Sequence, residues 1–224
     1  MFSHFDPSLL KFMRGLQANN EREWFNDHKQ QYEDHVRSPA LAFIEQMEQW
    51  IPLISPHYEA SPKKIGGSLM RVYRDVRFSK NKAPYKTNVG IKFRHEVGKS
   101  AHAPGFYLHI AADKIFLGVG IWQPDREPLS AIRDHIVTKP GPYLDAIEHQ
   151  PFTEFYQLAG TKLIRPPKGY DKENTLIEEI KRKDFIALCQ LEESELYQPD
   201  FCKMVASRFA RAQPFQKFIC EALG

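Results

Sequence analysis

Basic and aromatic side chains are concentrated in residues 66–86, which we name the cationic stretch. Its only acidic residue is Asp75. Like charges this close together repel each other, so a solvated surface does not need them, and the pattern indicates a negatively charged partner. The basic residues are Arg71, Arg74, Arg77, Lys80, Lys82 and Lys86, and the aromatic residues between them are Tyr73, Phe78 and Tyr85.

These residue types favour an anion-binding site. Arginine offers a planar pair of donors that matches a carboxylate or a phosphate, and lysine offers a compact positive charge. We predict a basic pocket for a small phosphorylated or carboxylated molecule, with the arginines as its clamp and the lysines as its rim. The predicted ligand-binding residues are Arg71, Arg74, Arg77, Lys82, Lys86, Tyr107 and Trp122. The alternative is an internal ion-pair network of Arg74, Asp75 and Arg77 beside solvated lysines.

Three residues are candidates for proton transfer: His109, Tyr73 and Asp75. His109 shares a predicted strand face with Tyr107, and it could be a general acid or base or a hydrogen-bonded structural residue. Asp75 lies among cations that lower the pKa of its carboxyl group, so it is either a weak base or the group that orients an arginine. If the protein is an enzyme, we expect a metal-free one in which His109 or Tyr73 transfers the proton.

Several sequence patterns of known catalytic and cofactor sites are missing. The chain has no GxxxxGK[ST], GxGxxG or GxSxG motif. The predicted sheet offers too few carboxylates for glycosidase or two-metal chemistry, and its histidines match no zinc motif. The three cysteines lie far apart, as expected of free thiols in a reducing cytosol. We therefore expect neither a metal nor a cofactor.

The charge is unevenly distributed, although the net charge is only +3. Within residues 63–99, eleven basic residues against two acidic ones give +9, which leaves −6 for the rest of the chain. Such a segment produces a local field in an otherwise acidic protein. Two alternatives to a small ligand fit this field: a nucleic acid on the basic aromatic sheet face, and an acidic protein docked by a non-enzymatic interaction module. No RRM, KH or helix-turn-helix signature accompanies the first.

The sequence carries no signal for a membrane. No apolar run approaches the roughly 18 residues of a spanning helix. The N-terminus lacks the pattern of a signal peptide. We therefore expect a cytoplasmic protein without a membrane partner, and the sequence leaves its oligomeric state open.

Alternating apolar residues predict a sheet in the middle of the chain. The strands are expected at residues 68–76, 87–97, 106–110 and 115–121, with a turn at 98–104. Their short connections predict an antiparallel meander. Gly118 and Gly120 lie opposite the apolar face of the last strand, where missing side chains let a bulge, another segment or a ligand approach.

Helical periodicity predicts helices on both sides of this meander. Asp6 and Pro7 begin the first helix, and Asn20 with Glu23 predicts a capping box for the second. A third helix is expected from Pro39 to Pro52. Further predicted elements are helices at 126–137, 176–181, 199–210 and 214–223, and a strand at 185–191. The fold class is therefore α+β, in one domain over residues 1–224.

Several motifs resemble a known protein family. They are NNEREWF, GGSLMRVYRDVRFSKNKAPYKTN, HAPGFYLHI, FLGVGIWQP and RPPKGYDKEN. Together they are similar to the signatures of the bacterial and fungal family called domain of unknown function 2461, and the resemblance runs nearly end to end. It implies a one-domain cytoplasmic protein of common fold. It transfers no catalytic residue, because no activity is established for the family.

Overall fold

The computed structural model of the protein describes residues 2–95 and 103–224. The predicted turn at 98–104 therefore lies mostly outside the described residues, as do Glu96 and Lys99 of the basic segment. The N-terminal part is helical, because apolar residues recur at helical spacing. Its elements are α1 (Ser8–Ala18), α2 (Arg22–Asp27), α3 (Lys29–Tyr32), a π-helical turn (Glu33–Arg37), α4 (Ser38–Met47) and α5 (Ile51–Ile54).

The two helix starts predicted from the sequence differ in outcome. The Asp6 carboxylate accepts a hydrogen bond of 2.9 Å from the Ser8 amide, so the start of α1 was correctly predicted. The capping box for α2 was wrong: Glu21 precedes the helix and no side chain caps it. The Asn20 side chain bonds to the main chain of Tyr85 instead.

Six strands form one antiparallel sheet in the described residues, which confirms the α+β class. They are β1 (Tyr58–Glu59), β2 (Asn88–His95), β3 (Gly105–Ala111), β4 (Ile115–Ile121), β5 (Gln157–Ala159) and β6 (Phe185–Leu191). Their order in the sheet is β1-β2-β3-β4-β6-β5. The predicted alternation holds in β3, where Phe106, Leu108 and Ile110 are buried.

The predicted strand at 68–76 was wrong. Only two isolated bridges form there, Leu69 with Ile91 and Tyr73 with Tyr85. The Arg74 amide donates to the Pro84 carbonyl, and Pro84 has no amide with which to return a bond. The alternation of this segment therefore reflects side-chain burial without a continuous ladder.

The C-terminal part returns to helices, as the periodicity predicted. These are α6 (Arg126–Thr138), α7 (Pro140–Glu148), α8 (Gln150–Thr153), α9 (Ile177–Ile180), a 3₁₀ turn (Glu193–Tyr197), α10 (Phe201–Arg211) and α11 (Gln213–Leu223). None of the helices in the described residues is long and apolar enough to cross a membrane.

The chain divides into two compact units. The first comprises Met1–Phe93, Tyr107–Leu117 and Gln190–Ser207, and the second comprises Arg94–Phe106, Gly118–Cys189 and Arg208–Gly224. The single domain over residues 1–224 stays a prediction.

Aromatic clusters fill the core of each unit. In the first unit, the rings of Phe5 and Phe201 meet edge to face at 5.6 Å, beside Phe43. In the second unit, Phe152 packs 5.7 Å from Phe215. Such buried rings each contribute about 1.5–3 kcal/mol of burial energy, so both units have a core of their own.

Gly120 allows a close approach within the second unit. Its φ is +105°, and a Cβ added there would lie 2.1 Å from the carbonyl oxygen of Phe185 in β6. Of the three neighbours that the sequence left open for this glycine, the structure selects another segment of the chain.

A buried carboxylate fixes two turns of the second unit. Asp184 precedes β6, and its Oδ1 accepts a hydrogen bond of 2.8 Å from the Gln123 amide. Its Oδ2 accepts bonds from the Thr161 amide at 3.1 Å and the Thr161 hydroxyl at 3.3 Å. One side chain thus holds the chain after β4 and the chain after β5.

We expect Asp184→Ala to lower the free energy of unfolding by about 2 kcal/mol, because it removes three part-buried hydrogen bonds that hold two turns. Urea denaturation followed by circular dichroism measures this loss. Asp145→Ala is the control, because Asp145 is exposed on α7 and should change stability by less than about 0.5 kcal/mol. Equal stability of the two variants would contradict the role of Asp184.

Candidate anion-binding site

The cationic stretch is attached to the first unit at its N-terminal end. The Ser68 amide donates to the Ser61 carbonyl at 2.8 Å, and the buried Ser68 hydroxyl accepts from the Ser61 amide at 2.9 Å. The Met70 amide then donates to the Gly90 carbonyl of β2 at 2.9 Å. These bonds place the following residues, beginning with Arg71, beside β2.

Asn20 holds the C-terminal end of the same stretch. Its Nδ2 donates to the Tyr85 carbonyl and its Oδ1 accepts from the Tyr85 amide, both at 3.0 Å. The buried Tyr85 ring stacks on Phe25 of α2 with the ring centres 4.1 Å apart. The residue that precedes Lys86 is therefore fixed through its main chain and its ring.

Asp75 and Arg77 neutralise each other. Arg77 Nε donates to Oδ1 at 3.0 Å and Nη2 donates to Oδ2 at 2.7 Å. The hydrogen bonds from Arg77 lower the pKa of Asp75 to about 2. This is the ion pair that the sequence left open as the alternative for these two residues, and it lies on the surface with the two side chains 76% and 45% exposed.

Arg74 and Lys82 donate to main-chain carbonyls of their own loop. Arg74 Nη1 bonds to the Ala83 carbonyl at 3.1 Å, and Lys82 Nζ bonds to the Val76 carbonyl at 3.0 Å. Both side chains therefore stabilise the loop formed by residues 74–83 of the cationic stretch. A carbonyl carries no net charge, so neither cation is neutralised by these bonds.

Arg71 and Lys86 are different, because in the described residues no hydrogen bond or ion pair engages either side chain. Lys86 is half-buried, and its amide is fixed by a bond of 2.7 Å to the Val72 carbonyl. Burial lowers the pKa of Lys86, and the neighbouring charge of Arg71 lowers it further. Two positive charges thus lie near each other, one of them partly removed from water.

An aromatic group adjoins this pair. Tyr73 is 54% exposed, and its ring lies 5.5 Å from that of Tyr85. The Tyr32 ring lies 5.2 Å from the same Phe25 on which Tyr85 stacks. Burial raises the pKa of Tyr32 to about 12 and also raises that of Tyr85, so both phenols stay protonated at neutral pH.

Tyr107 and His109 form a hydrogen-bonded pair on β3. Burial raises the pKa of Tyr107 to about 12 and lowers that of His109 to about 4, so both are neutral near pH 7. The Tyr107 hydroxyl and His109 Nδ1 share a hydrogen bond of 3.0 Å whose donor depends on the histidine tautomer. The His109 ring stacks on Phe116 at 4.6 Å. A Cβ on Gly90 would lie 2.9 Å from the Tyr107 hydroxyl, so this glycine makes room for the ring. A histidine with so low a pKa is a weak base at neutral pH.

The remaining predictions concern Trp122 and metals. Trp122 is 56% exposed and belongs to the second unit, and its place in the site stays a prediction. In the part of the chain that the structure describes, no group of three or more His, Cys, Asp or Glu residues is arranged to hold a metal ion.

Three residues beside the site were not predicted from the sequence: Asn20, Tyr32 and Arg22. The sequence predicted a helix cap for Asn20 and no role in the site for Tyr32 or Arg22. These residues meet the site only in the folded chain. For example, the charge of Arg22 acts on the pKa of Tyr85. The motif NNEREWF contains Asn20 and Arg22 but gives no local signal for their contacts with Tyr85, and Tyr32 lies outside it.

The family described as a conserved hypothetical protein (DUF2461) matches residues 8–218, and it confirms the resemblance drawn from the motifs. No curated protein and no solved structure matches the chain. The description of the family names neither a ligand nor a reaction.

We expect Asn20→Ala to lower the free energy of unfolding by about 2 kcal/mol, because two hydrogen bonds to the Tyr85 main chain are lost. Chemical denaturation measures the change. The adjacent Asn19 is a matched control: its side chain is exposed and bonds only to Gly15 in its own helix. Losses of the same size in Asn19→Ala and Asn20→Ala would contradict the anchoring role.

We expect His109 to make stability depend on pH. Its pKa is about 4 in the folded chain against an ordinary value of 6.5, mainly because of burial, so the unfolded chain binds a proton first as the pH falls. Stability is then fully present above pH 6.5 and is lost as the pH falls toward 4. Urea denaturation between those values should show a shallower dependence for His109→Asn, which keeps an acceptor for Tyr107. A ring titration by NMR with a midpoint near 6.5 would overturn this expectation.

Proposed function

We propose that this chain, which belongs to the family of conserved hypothetical proteins DUF2461, binds a small phosphorylated or carboxylated anion at Arg71 and Lys86. The observation that carries the proposal is the half-buried Lys86, on which the charge of Arg71 acts. In the described residues neither side chain has a hydrogen bond or ion pair, and Asp75, on which Arg71 also acts, is bonded to Arg77. An anion between them would offset both their repulsion and the burial of Lys86.

Several other cations of the protein are paired with carboxylates of the chain. Arg14 is paired with Glu193 at 2.6 Å, Arg37 with Glu33 at 3.0 Å and Arg211 with Glu154 at 3.1 Å. The chain therefore supplies a carboxylate to many of its arginines. Exposed cations such as Arg22 and Arg165 also lack a hydrogen bond or ion pair in the described residues, and Lys86 differs from them because it is half-buried.

These contacts leave fewer free cations than the predicted clamp of Arg71, Arg74 and Arg77. Arg77 is engaged by Asp75, and Arg74 and Lys82 are engaged by carbonyls of their loop. In the proposal, Arg71 and Lys86 bind the anion directly, and Arg74 adds charge while holding the loop. The neutral pair of Tyr107 and His109 has no step in it, because the proposal is one of binding.

A second candidate function is the binding of single-stranded nucleic acid. Its support is Phe78, which is 95% exposed in the loop of the cationic stretch, with the Arg77 guanidinium 5.8 Å from its ring centre. An exposed ring beside cations can stack on a base, for about 1–3 kcal/mol per base. An acidic protein docked on the same cations is the third candidate, and it requires neither a stacked ring nor a small ligand.

We expect calorimetric titration at low salt to show binding of inorganic phosphate or citrate to the wild-type protein. Arg71→Gln and Lys86→Met should each weaken that binding by roughly 10- to 100-fold, since each removes a charged hydrogen bond of about 1.5–3 kcal/mol. Lys80→Met is the matched control, because it removes the same charge from an exposed position of the same stretch.

The outcomes separate the candidates. If Lys80→Met weakens the binding of phosphate or citrate as much as Lys86→Met does, the anion is attracted by the general positive field of the stretch and not by a specific site. If phosphate and citrate fail to bind while a short single-stranded oligonucleotide binds, with a slope of about −0.7 in log affinity against log salt per phosphate, the second function replaces the first. Binding of none of these ligands would reject both.

A further inference from the structure

We propose, on the basis of the anion site above, that the ligand is a sugar phosphate whose hydroxyl groups bind to the phenol groups of Tyr32, Tyr73 and Tyr85. Arg71 and Lys86 would hold the phosphate, and the three tyrosines would hold the sugar. This assigns the chemical class of the ligand and a second set of contacts to the same site.

The three phenol groups lie near one another. Tyr73 acts electrostatically on Tyr32 and on Tyr85, and its ring centre lies 5.5 Å from that of Tyr85. All three rings surround Phe25, at distances of 5.2 Å, 6.4 Å and 4.1 Å between ring centres for Tyr32, Tyr73 and Tyr85. The rings therefore form one group around a common apolar base.

In the described residues, none of these three phenol hydroxyls has a hydrogen-bond partner. Elsewhere the tyrosine hydroxyls of the chain are commonly engaged: Tyr143 donates to Glu179 at 2.7 Å and Tyr197 donates to Glu193 at 2.7 Å. Three neighbouring hydroxyls that are all unengaged by the chain can therefore donate to a ligand.

The chemistry of the group suits a sugar. A phenol hydroxyl both donates and accepts, which matches a sugar hydroxyl, whereas a phosphate only accepts. Protonated phenols keep this double capacity at neutral pH. A sugar ring also has apolar C–H faces that pack on aromatic rings, and such mixed surfaces with a few polar groups are typical of ligand sites.

The two parts of the site are joined along the chain. Arg71 and Tyr73 are exposed on either side of the buried Val72, so their Cα atoms are separated by at most about 7 Å. Lys86 directly follows Tyr85. Tyr73 pairs with Tyr85 across the two segments, so Arg71, Tyr73 and Tyr85 share one face and can contact one small molecule, while Lys86 lies at the next position, where the charge of Arg71 acts on it. The exposed Arg22, whose charge acts on Tyr85, adds a third cation at the edge.

The test compares ribose 5-phosphate with inorganic phosphate by calorimetric titration of the full chain at matched ionic strength. We expect ribose 5-phosphate to bind the wild-type protein about tenfold more tightly than phosphate, as two or three neutral hydrogen bonds allow. The variants Tyr32→Phe, Tyr73→Phe and Tyr85→Phe should lose that advantage and keep their affinity for inorganic phosphate. Each keeps its ring, so the apolar contacts with Phe25 remain.

Tyr156→Phe is the control for loss of a phenol hydroxyl. Tyr156 is buried in the second unit and its hydroxyl has no partner in the described residues, so the change should leave both affinities unaltered. If wild-type protein binds the two ligands equally and the phenylalanine variants do not differ from it, the sugar assignment is overturned and the anion site stands. If neither ligand binds, the anion site falls and the sugar assignment falls with it.

Discussion

Two hydrogen bonds between the Asn20 side chain and the main chain of Tyr85 organise the candidate site. They join the helical N-terminal segment to a stretch that has no regular strand of its own. Through them Tyr85 is placed on Phe25 and Lys86 beside Arg71. The half-buried position of Lys86 follows from this anchoring, because a loop of exposed cations free to move would carry its lysine into water. The charge arrangement of the site thus depends on one uncharged side chain.

Much of the fold could be predicted because it depends on local periodicity. The meander from β2 to β4, strand β6 and the helices from α9 onward follow patterns within single segments. The segment 68–76 has the same alternation, but a strand also needs a partner with free amides, and Pro84 lacks one. Asn20 was assigned wrongly for a related reason. Its amide can cap a nearby helix or bind a distant main chain, and the local sequence does not distinguish these uses.

The residues of the site could be predicted from the sequence, but which of its cations pairs with an acid could not. Counting charges identified the cationic stretch, but which cation meets an acid depends on distances that only the fold sets. Asp75 accepts its hydrogen bonds from Arg77, and Arg71 acts on Asp75 only through its charge, so in the described residues the Arg71 side chain has no hydrogen bond or ion pair. The main chain of Lys86 is held beside the buried Val72 by the bond from its amide to the Val72 carbonyl, a contact between residues far apart in sequence. Membership of the family assigns no role to any residue, so the proposed roles rest on the contacts of the side chains.

The contact of Asn20 with Tyr85 has a consequence for self-association. The Asn20 carboxamide presents its C=O and one N–H side by side, as a residue of an adjacent antiparallel strand presents its C=O and N–H, so Asn20 occupies the main chain of Tyr85 as a neighbouring strand would. Segments with unpaired amides and carbonyls are templates on which another copy of a chain can add a strand. The cationic stretch contains only isolated bridges and would otherwise present such a template. Its positive charges repel an identical copy, and Asn20 withholds the main-chain groups, so two independent features oppose aggregation through the same segment.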